Sequence, residues 1–334
     1  MTPPLVSVIV TCYNLGRFLG EALDSVFAQT LQDFEIVVVN DGSTDPMTLR
    51  ALDALDARRT RVMTSPNRGL PAAKNLGLAH TTGEYVCALD ADDRLLPTLL
   101  DKSAAVLSRD PDVAFVSHWL RTFGDEVVEW TPSDCGFPAL LDVNTVNGAA
   151  LVRRSAIEAV GGFDETFREG CEDWDLWIAL VERGFRGVIL PEVLFEYRRR
   201  NDSMTRAMQR EGRHPELYGR LVQKHAAAFA PHLSCLIARR ERDLGTLRLH
   251  NHDLALDRRH TLTPDLAKLR DDVAVLEGRI GGGPLRRALS DARESGRAAR
   301  AEAEALRASL SWRVTAPLRA VYDRLLALRG RQQP

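Results

Sequence analysis

The chain has 334 residues, 45% of them hydrophobic and 27% charged, with a formal net charge of -2 at pH 7. That length holds a full globular core plus an appended region; the composition excludes wholesale disorder, and the charge lacks the basic surplus of a nucleic-acid-binding domain. The five cysteines, at 12, 87, 135, 171 and 235, have spacings suited neither to a zinc site nor to a disulfide framework, which fits a reducing cytosol. Residues 1–4 lack the basic start and cleavage site of a signal peptide. No run reaches the ~20 apolar residues of a spanning helix, so the expected location is cytoplasmic, with any membrane contact peripheral at the inner face.

Leu5 to Thr11 is a β-branched run, broken by Tyr13, Asn14 and Gly16 and followed by a helical pattern from Phe18 to Gln29. Phe34 to Asn40 is a second apolar run of strand length, ended by Asp41, Gly42, Ser43 and Asp45. A helix over Pro46 to Asp56, a strand at Arg61 to Ser65, a helix from Leu70 to His80 and a strand from Glu84 to Leu89 continue the alternation. Continuous apolar runs alternating with helices predict an α/β sandwich with a mostly parallel central sheet. Ligands of such sheets sit outside the carboxyl ends of the strands, where Thr11 to Asn14, Asn40 to Ser43 and Asp90 to Asp93 share one rim.

After about Arg206 the sequence turns Arg-, Leu- and Ala-rich, with almost no strand signal. Thr263, Pro264 and Asp265 form a helix start, and Leu266, Leu269, Val273, Leu276 and Ile280 mark one face of a short coiled coil. Val314, Leu318, Val321, Leu325 and Leu328, beside Arg313, Arg319, Arg324 and Arg329, mark a basic amphipathic helix. Its apolar face suits packing on this chain, a homo-oligomeric partner or a membrane surface equally well. The excess of arginine over lysine points to a GC-rich bacterial genome.

Asp90-Ala91-Asp92-Asp93 ends a buried strand with three carboxylates. Asp-rich turns need no function, but such a strand end suffers like-charge repulsion unless a cation or basic group compensates. Hard ions such as Mg2+ or Mn2+ suit carboxylate oxygens completed by phosphate and water. Alternation along an extended segment would put Asp90 and Asp92 on one side, one meeting a ribose or metal-bound water and the other the ion, with Asp93 turned away towards backbone. Tyr13 is placed to stack on a planar base or simply to close the core, and Asp41 to accept a hydrogen bond from a base edge or to start a turn.

Val6 to Asn14 (VSVIVTCYN), Val38 to Asp45 (VVNDGSTD), Ala73 to Gly77 (AKNLG) and Leu89 to Asp93 (LDADD) resemble, in order and spacing, the signatures of glycosyltransferase family 2. Glu172 to Trp177 (EDWDLW) is similar to that family's Glu-Asp motif, and Tyr197 to Met204 (YRRRNDSM) to its loop after the last strand. The resemblance covers roughly Leu5 to Thr205 and implies a GT-A fold, with a nucleotide-binding half at about 1–95 and an acceptor half at about 96–206. A helical extension over 207–262 and the coiled-coil-like and basic amphipathic helices over 263–334 would follow.

The resemblance further implies a metal-dependent, inverting hexosyltransferase that takes a nucleoside diphosphate-sugar. Its acceptor would be a glycan or lipid-linked glycan, in cell-surface polysaccharide synthesis. Thr11, Tyr13 and Asp41 match base-contacting positions, and Asn14 beside them is a further expected nucleotide-sugar-binding residue. Asp90 and Asp92 match the Asp-X-Asp motif, with Asp92 the direct metal ligand. Lys74 would reach the diphosphate or be an ordinary surface lysine. Asp173 is the expected base, with Glu172 as fallback, although acids also favour a helix N-terminus for its dipole alone. Arg200 stands where histidine is frequent; it can grip phosphate but not ligate a metal. Two rival readings stay open: a catalytically weak scaffold that organises a polysaccharide-assembly complex through its tail, and a transferase acting on polyprenyl phosphate.

Overall fold

The structure is a computed structural model that describes residues 3–57 and 59–243. The first half runs β1 (Val6–Cys12), α1 (Gly16–Phe27), β2 (Phe34–Asp41), α2 (Pro46–Asp53), β3 (Arg61–Ser65), α3 (Leu70–Ala79) and β4 (Tyr85–Asp90). The second adds β5 (Arg94–Leu95), α4 (Leu99–Arg109), β6 (Val113–Gly124), β7 (Glu129–Trp130), α5 (Ala139–Asp142) and β8 (Leu151–Arg153). It continues with α6 (Arg154–Ala159), α7 (Glu172–Glu182) and β9 (Arg186–Arg199), then α8 (Met204–Arg210), α9 (His214–Lys224) and α10 (Ala226–Phe229).

The strands form one sheet in the order β3-β2-β1-β4-β8-β6-β9-β5, with β7 paired to β6. The first four are parallel; β8 pairs antiparallel with both β4 and β6, so the sheet is mixed beyond β4. Strands β1 and β2 are buried on both faces because helices cover both. Ile9, Val37 and Val39 pack into the layer of α3 and α7, while Val8, Val10, Ile36 and Val38 pack into that of α1 and α4.

The parallel register aligns Thr11 of β1 with Val39 of β2 on one side and with Asp90 of β4 on the other. Three strands therefore end together, which is why residues far apart in sequence share one rim. After β2 the chain turns through Gly42, whose φ of 70° is the left-handed region that suits glycine. Asp45 then caps α2 by accepting from the backbone N–H groups of Met47 and Thr48, with Pro46 in the first turn.

The boundary expected near 206 is not where the packing stops. Leu217, Leu221, Phe229 and Leu236 are buried in the same core as Ile9, Trp174 and Trp177, so the core runs on to Leu236. The coiled-coil-like and amphipathic segments over 263–334, and the extension beyond 243, lie outside the described residues. Among the described residues no helix is long and apolar enough to cross a membrane.

Candidate active site

The strand ends open into a cleft of about 540 Å³, lined by Thr11, Tyr13, Asp41, Asp90, Asp92 and Arg200 among others. Tyr13 is 46% exposed there, its ring available to a planar ligand. Asp41 is buried, and its two oxygens accept from the backbone N–H groups of Arg68 and Gly69 at 2.9 and 2.8 Å. Asn14 has a φ of 55°, and its side-chain oxygen accepts from the N–H groups of Thr44 and Asp45 at 2.8 and 2.9 Å. Its amide ties the β1–α1 loop to the β2–α2 loop; the bonds it makes here hold the cleft's shape.

The acidic segment departs from the extended geometry expected of it. Asp90 ends β4, and the N–H of Asp93 donates back to the carbonyl of Asp90 at 3.0 Å, so Ala91 and Asp92 form a turn. Asp90 and Asp92 still line one cleft, because the turn rather than strand alternation brings them round. Thr11 Oγ1 donates to Asp90 Oδ1 at 2.8 Å and fixes that carboxylate. Asp93 faces inward and accepts the backbone N–H of Arg198 at 2.7 Å.

Burial first, and Asp90 second, push the Asp92 carboxyl above the usual range, against the pull of Arg200. Arg200 Nε bonds Asp92 Oδ2 at 2.8 Å, and its Nη1 bonds Asp202 Oδ1 at 2.7 Å. Sequence reasoning anticipated a basic compensating group but not its identity. Among the described residues no three His, Cys, Asp or Glu side chains converge as a complete metal cage. The two carboxylates nonetheless fit a hard divalent ion, which commonly binds one or two carboxylates and completes its shell with phosphate and water.

A second cavity, of about 340 Å³, adjoins the first; Asp90, Leu70 and Tyr197 line both. Asp173, at the start of α7, lines its far side. Asn144 Nδ2 donates to Asp173 Oδ2 at 3.2 Å, while Oδ1 accepts the Trp174 N–H at 2.7 Å. Burial, reinforced by neighbouring Glu172, pushes the Asp173 pKa up to about 6, against Lys74 and these hydrogen bonds.

Glu172 lines the same cavity but is paired. Its side chain is 5% exposed and bonds Lys74 Nζ at 2.7 Å, with Lys74 itself only 4% exposed. Burial works against the charge on Lys74, but Glu172, Asp90 and Asp173 outweigh it and hold its pKa above the usual lysine value. The lysine is thus neither on the surface nor directed freely into the cleft at the strand ends. It is the cation between the two acidic groups, and it occupies Glu172.

Sequence reasoning missed Asn144, and within the motif from Tyr197 to Met204 it gave a role to Arg200 but none to Tyr197, Arg198 or Asp202. Arg198 could have been found from its neighbours: the run Arg198, Arg199 and Arg200 at the end of β9 and the three carboxylates Asp90, Asp92 and Asp93 call for pairing. Its Nε donates to the carbonyl of Asp92 at 2.8 Å, and its guanidinium lies 4.4 Å from the Phe18 ring centroid.

This arrangement, a parallel nucleotide-type half joined to a mixed half with carboxylates at the join, is the GT-A glycosyltransferase fold. It is similar to a Staphylococcus aureus TarS fragment solved with UDP-GlcNAc, at TM-score 0.52 and 21% identity over 60% of each chain. A mannosyltransferase from Pyrobaculum calidifontis, solved with GDP-Man and Mn2+, matches at TM-score 0.54 and 24% identity, over 72% of this chain and 70% of that one. The "Glycosyl transferase family 2" model matches residues 7–161. The putative glycosyltransferase EpsE of Bacillus subtilis is 31% identical over 216 residues, which is 61% of this chain and 76% of EpsE. The chain belongs to glycosyltransferase family 2.

Proposed function

We propose that this glycosyltransferase moves a sugar, with inversion, from a nucleoside diphosphate-sugar to a hydroxyl of a glycan or lipid-linked glycan in cell-surface polysaccharide synthesis. The observation that carries the reading is the pair of adjoining cavities. Asp90 borders both, Tyr13, Asp41 and Asp92 line one, and Asp173 with its pKa near 6 lines the other. A base close to neutrality, across the join from a diphosphate site, suits in-line displacement by an acceptor hydroxyl.

In this reading Tyr13 stacks on the base, while Thr11 orients Asp90 towards the ribose or a metal-bound water. Asp92, with Asp90, would hold Mg2+ or Mn2+, which when bound neutralises charge on the leaving diphosphate. Arg200 faces the same anion. Asp173, held by Asn144, takes the acceptor proton as the oxygen adds to the anomeric carbon. The solved relatives bound to UDP-GlcNAc and to GDP-Man with Mn2+ support the donor class and the ion. The 35% match over 115 residues to Pasteurella multocida hyaluronan synthase supports a role in polysaccharide synthesis, although only 12% of that synthase is covered.

The test pairs two variants in a screen of uridine, guanosine and thymidine diphosphate sugars. Asp173→Asn is expected to bind donor with near-native affinity and to lose transfer by at least about 100-fold, the usual scale for a lost general base. Asp92→Asn is expected to lose the metal-dependent part of donor binding. Transfer retained in Asp173→Asn moves the base elsewhere, and the absence of turnover with every donor favours the scaffold reading.

A further inference from the structure

Arg200 sits at the one carboxylate on which the proposed donor site most depends, and its surroundings constrain it. The Asp92 side chain is 10% exposed and that of Arg200 16% exposed. A cation arriving from solvent therefore meets a pair already formed and largely enclosed. Breaking a buried pair by removing one partner leaves an uncompensated charge and is strongly unfavourable.

The backbone beneath the pair is clamped. The Arg198 N–H holds Asp93 and its Nε holds the Asp92 carbonyl, so strand end and acidic turn move as one piece. The Arg200 guanidinium is held by the Asp92 and Asp202 side chains and lies 5.4 Å from the Phe18 ring centroid. Its second anchor, Asp202, is 66% exposed and is also reached by Arg17 of α1 at 3.4 Å. Asp202 can thus keep one nitrogen of Arg200 at the cleft while the other leaves Asp92.

Resting on the donor site proposed above, we propose that Arg200 guards Asp92: its guanidinium leaves that carboxylate only for a diphosphate, making cation and diphosphate binding cooperative. The exchange is balanced in charge. Arg200 gives up one anion for another, and Asp92 gives up one cation for another, so neither buried group is left unpaired. A cation alone leaves Arg200 with only the exposed Asp202, and a diphosphate alone leaves Asp92 without its counter-charge. By linkage, each ligand then raises the affinity for the other by the same factor.

The experiment titrates the full-length chain with Mn2+ alone, reading free Mn2+ by electron paramagnetic resonance, for the wild type and for Arg200→Gln. The same titrations follow with UDP or GDP present. The wild type should bind Mn2+ weakly without nucleotide. Arg200→Gln should bind it more tightly by about tenfold, within the roughly 5- to 150-fold range of such couplings. The further tightening by nucleotide should shrink in the variant; nucleotide–Mn2+ association in solution is common to both samples and cancels. Adding Asp92→Asn should abolish the gain.

Equal Mn2+ affinities for wild type and Arg200→Gln, tightened alike by nucleotide, would overturn the guard and leave the donor site standing. A gain that survives Asp92→Asn would also overturn it. No Mn2+ bound by any form, with or without nucleotide, would instead defeat the donor-site reading itself. If Arg200→Gln fails to fold, Arg200→Lys keeps the charge but not the fork and should show a smaller gain; no gain there overturns the proposal.

Discussion

Asp173 and Lys74 show how little of a side chain's role is its own. The Asp173 carboxyl is lifted to about 6 by burial and by Glu172, and Lys74 limits the rise. The proposed base acts when deprotonated, so transfer should fall as pH drops through about 6, by roughly tenfold per unit below it. Replacing Lys74 with methionine removes the opposing charge, so this limb should move to higher pH in a pH–rate profile. The same change leaves Glu172 buried and unpaired, at a cost of about 3–5 kcal/mol in denaturant melts. A merely structural lysine would lower stability without moving the limb. Lys74 was misplaced by sequence because helical periodicity alone does not separate a buried lysine from a surface one. The small residues Ala72, Ala73 and Gly77, buried on the same helix, were the available signal.

Helix α3 carries that lysine and is pressed against β1. A Cβ built on Gly77 would lie 2.2 Å from Ile9 Cγ2, far inside van der Waals contact. Gly77→Ala should therefore destabilise the protein by about 1–3 kcal/mol through overpacking, measured by denaturant unfolding. Because the same displacement shifts Lys74 against Glu172, the pH limb of transfer should move as well. Elements of the first half were legible because their apolar runs are long and end in Gly, Asp, Asn or Ser; β3 falls at Arg61–Ser65 as its pattern predicts. The second half was harder. Strand β8 is three residues long, and β9 contains Pro191 and pairs with β6 through register shifts, so neither has a clear two-residue period.

Across the whole unit, α9 and α10 are fastened behind α7 by a charge cluster whose centre, Asp175 and His225, is buried. His225 bonds Asp175 at 3.0 Å and Glu182 at 2.7 Å, and Lys224 bonds Asp175 at 2.8 Å and Asp164 at 2.6 Å. Burial opposes protonation of His225, but Asp175 and Glu182 outweigh it and raise its pKa above 6.5. Its contribution to stability is thus fully present below about pH 6.5 and is lost as pH rises through the folded value. The Tm should fall across that window, and His225→Gln should lower it at pH 6 while making the fall shallower. A parallel pH dependence in the variant would remove His225 as the cause.

The sequence by itself determined the α/β alternation, the three polar strand ends and the family, because local periodicity and turn chemistry are short-range and survive without neighbours. It also placed Thr11, Tyr13, Asp41, Asp90, Asp92 and Asp173 in motifs. Only the tertiary structure decided what each carboxylate meets: Glu172 with Lys74, Asp93 with the Arg198 backbone, Asp92 with Arg200. Those pairings span 98 to 108 positions. They are selected by burial, since a charge removed from water takes whichever counter-charge the fold delivers, and no local pattern records that choice.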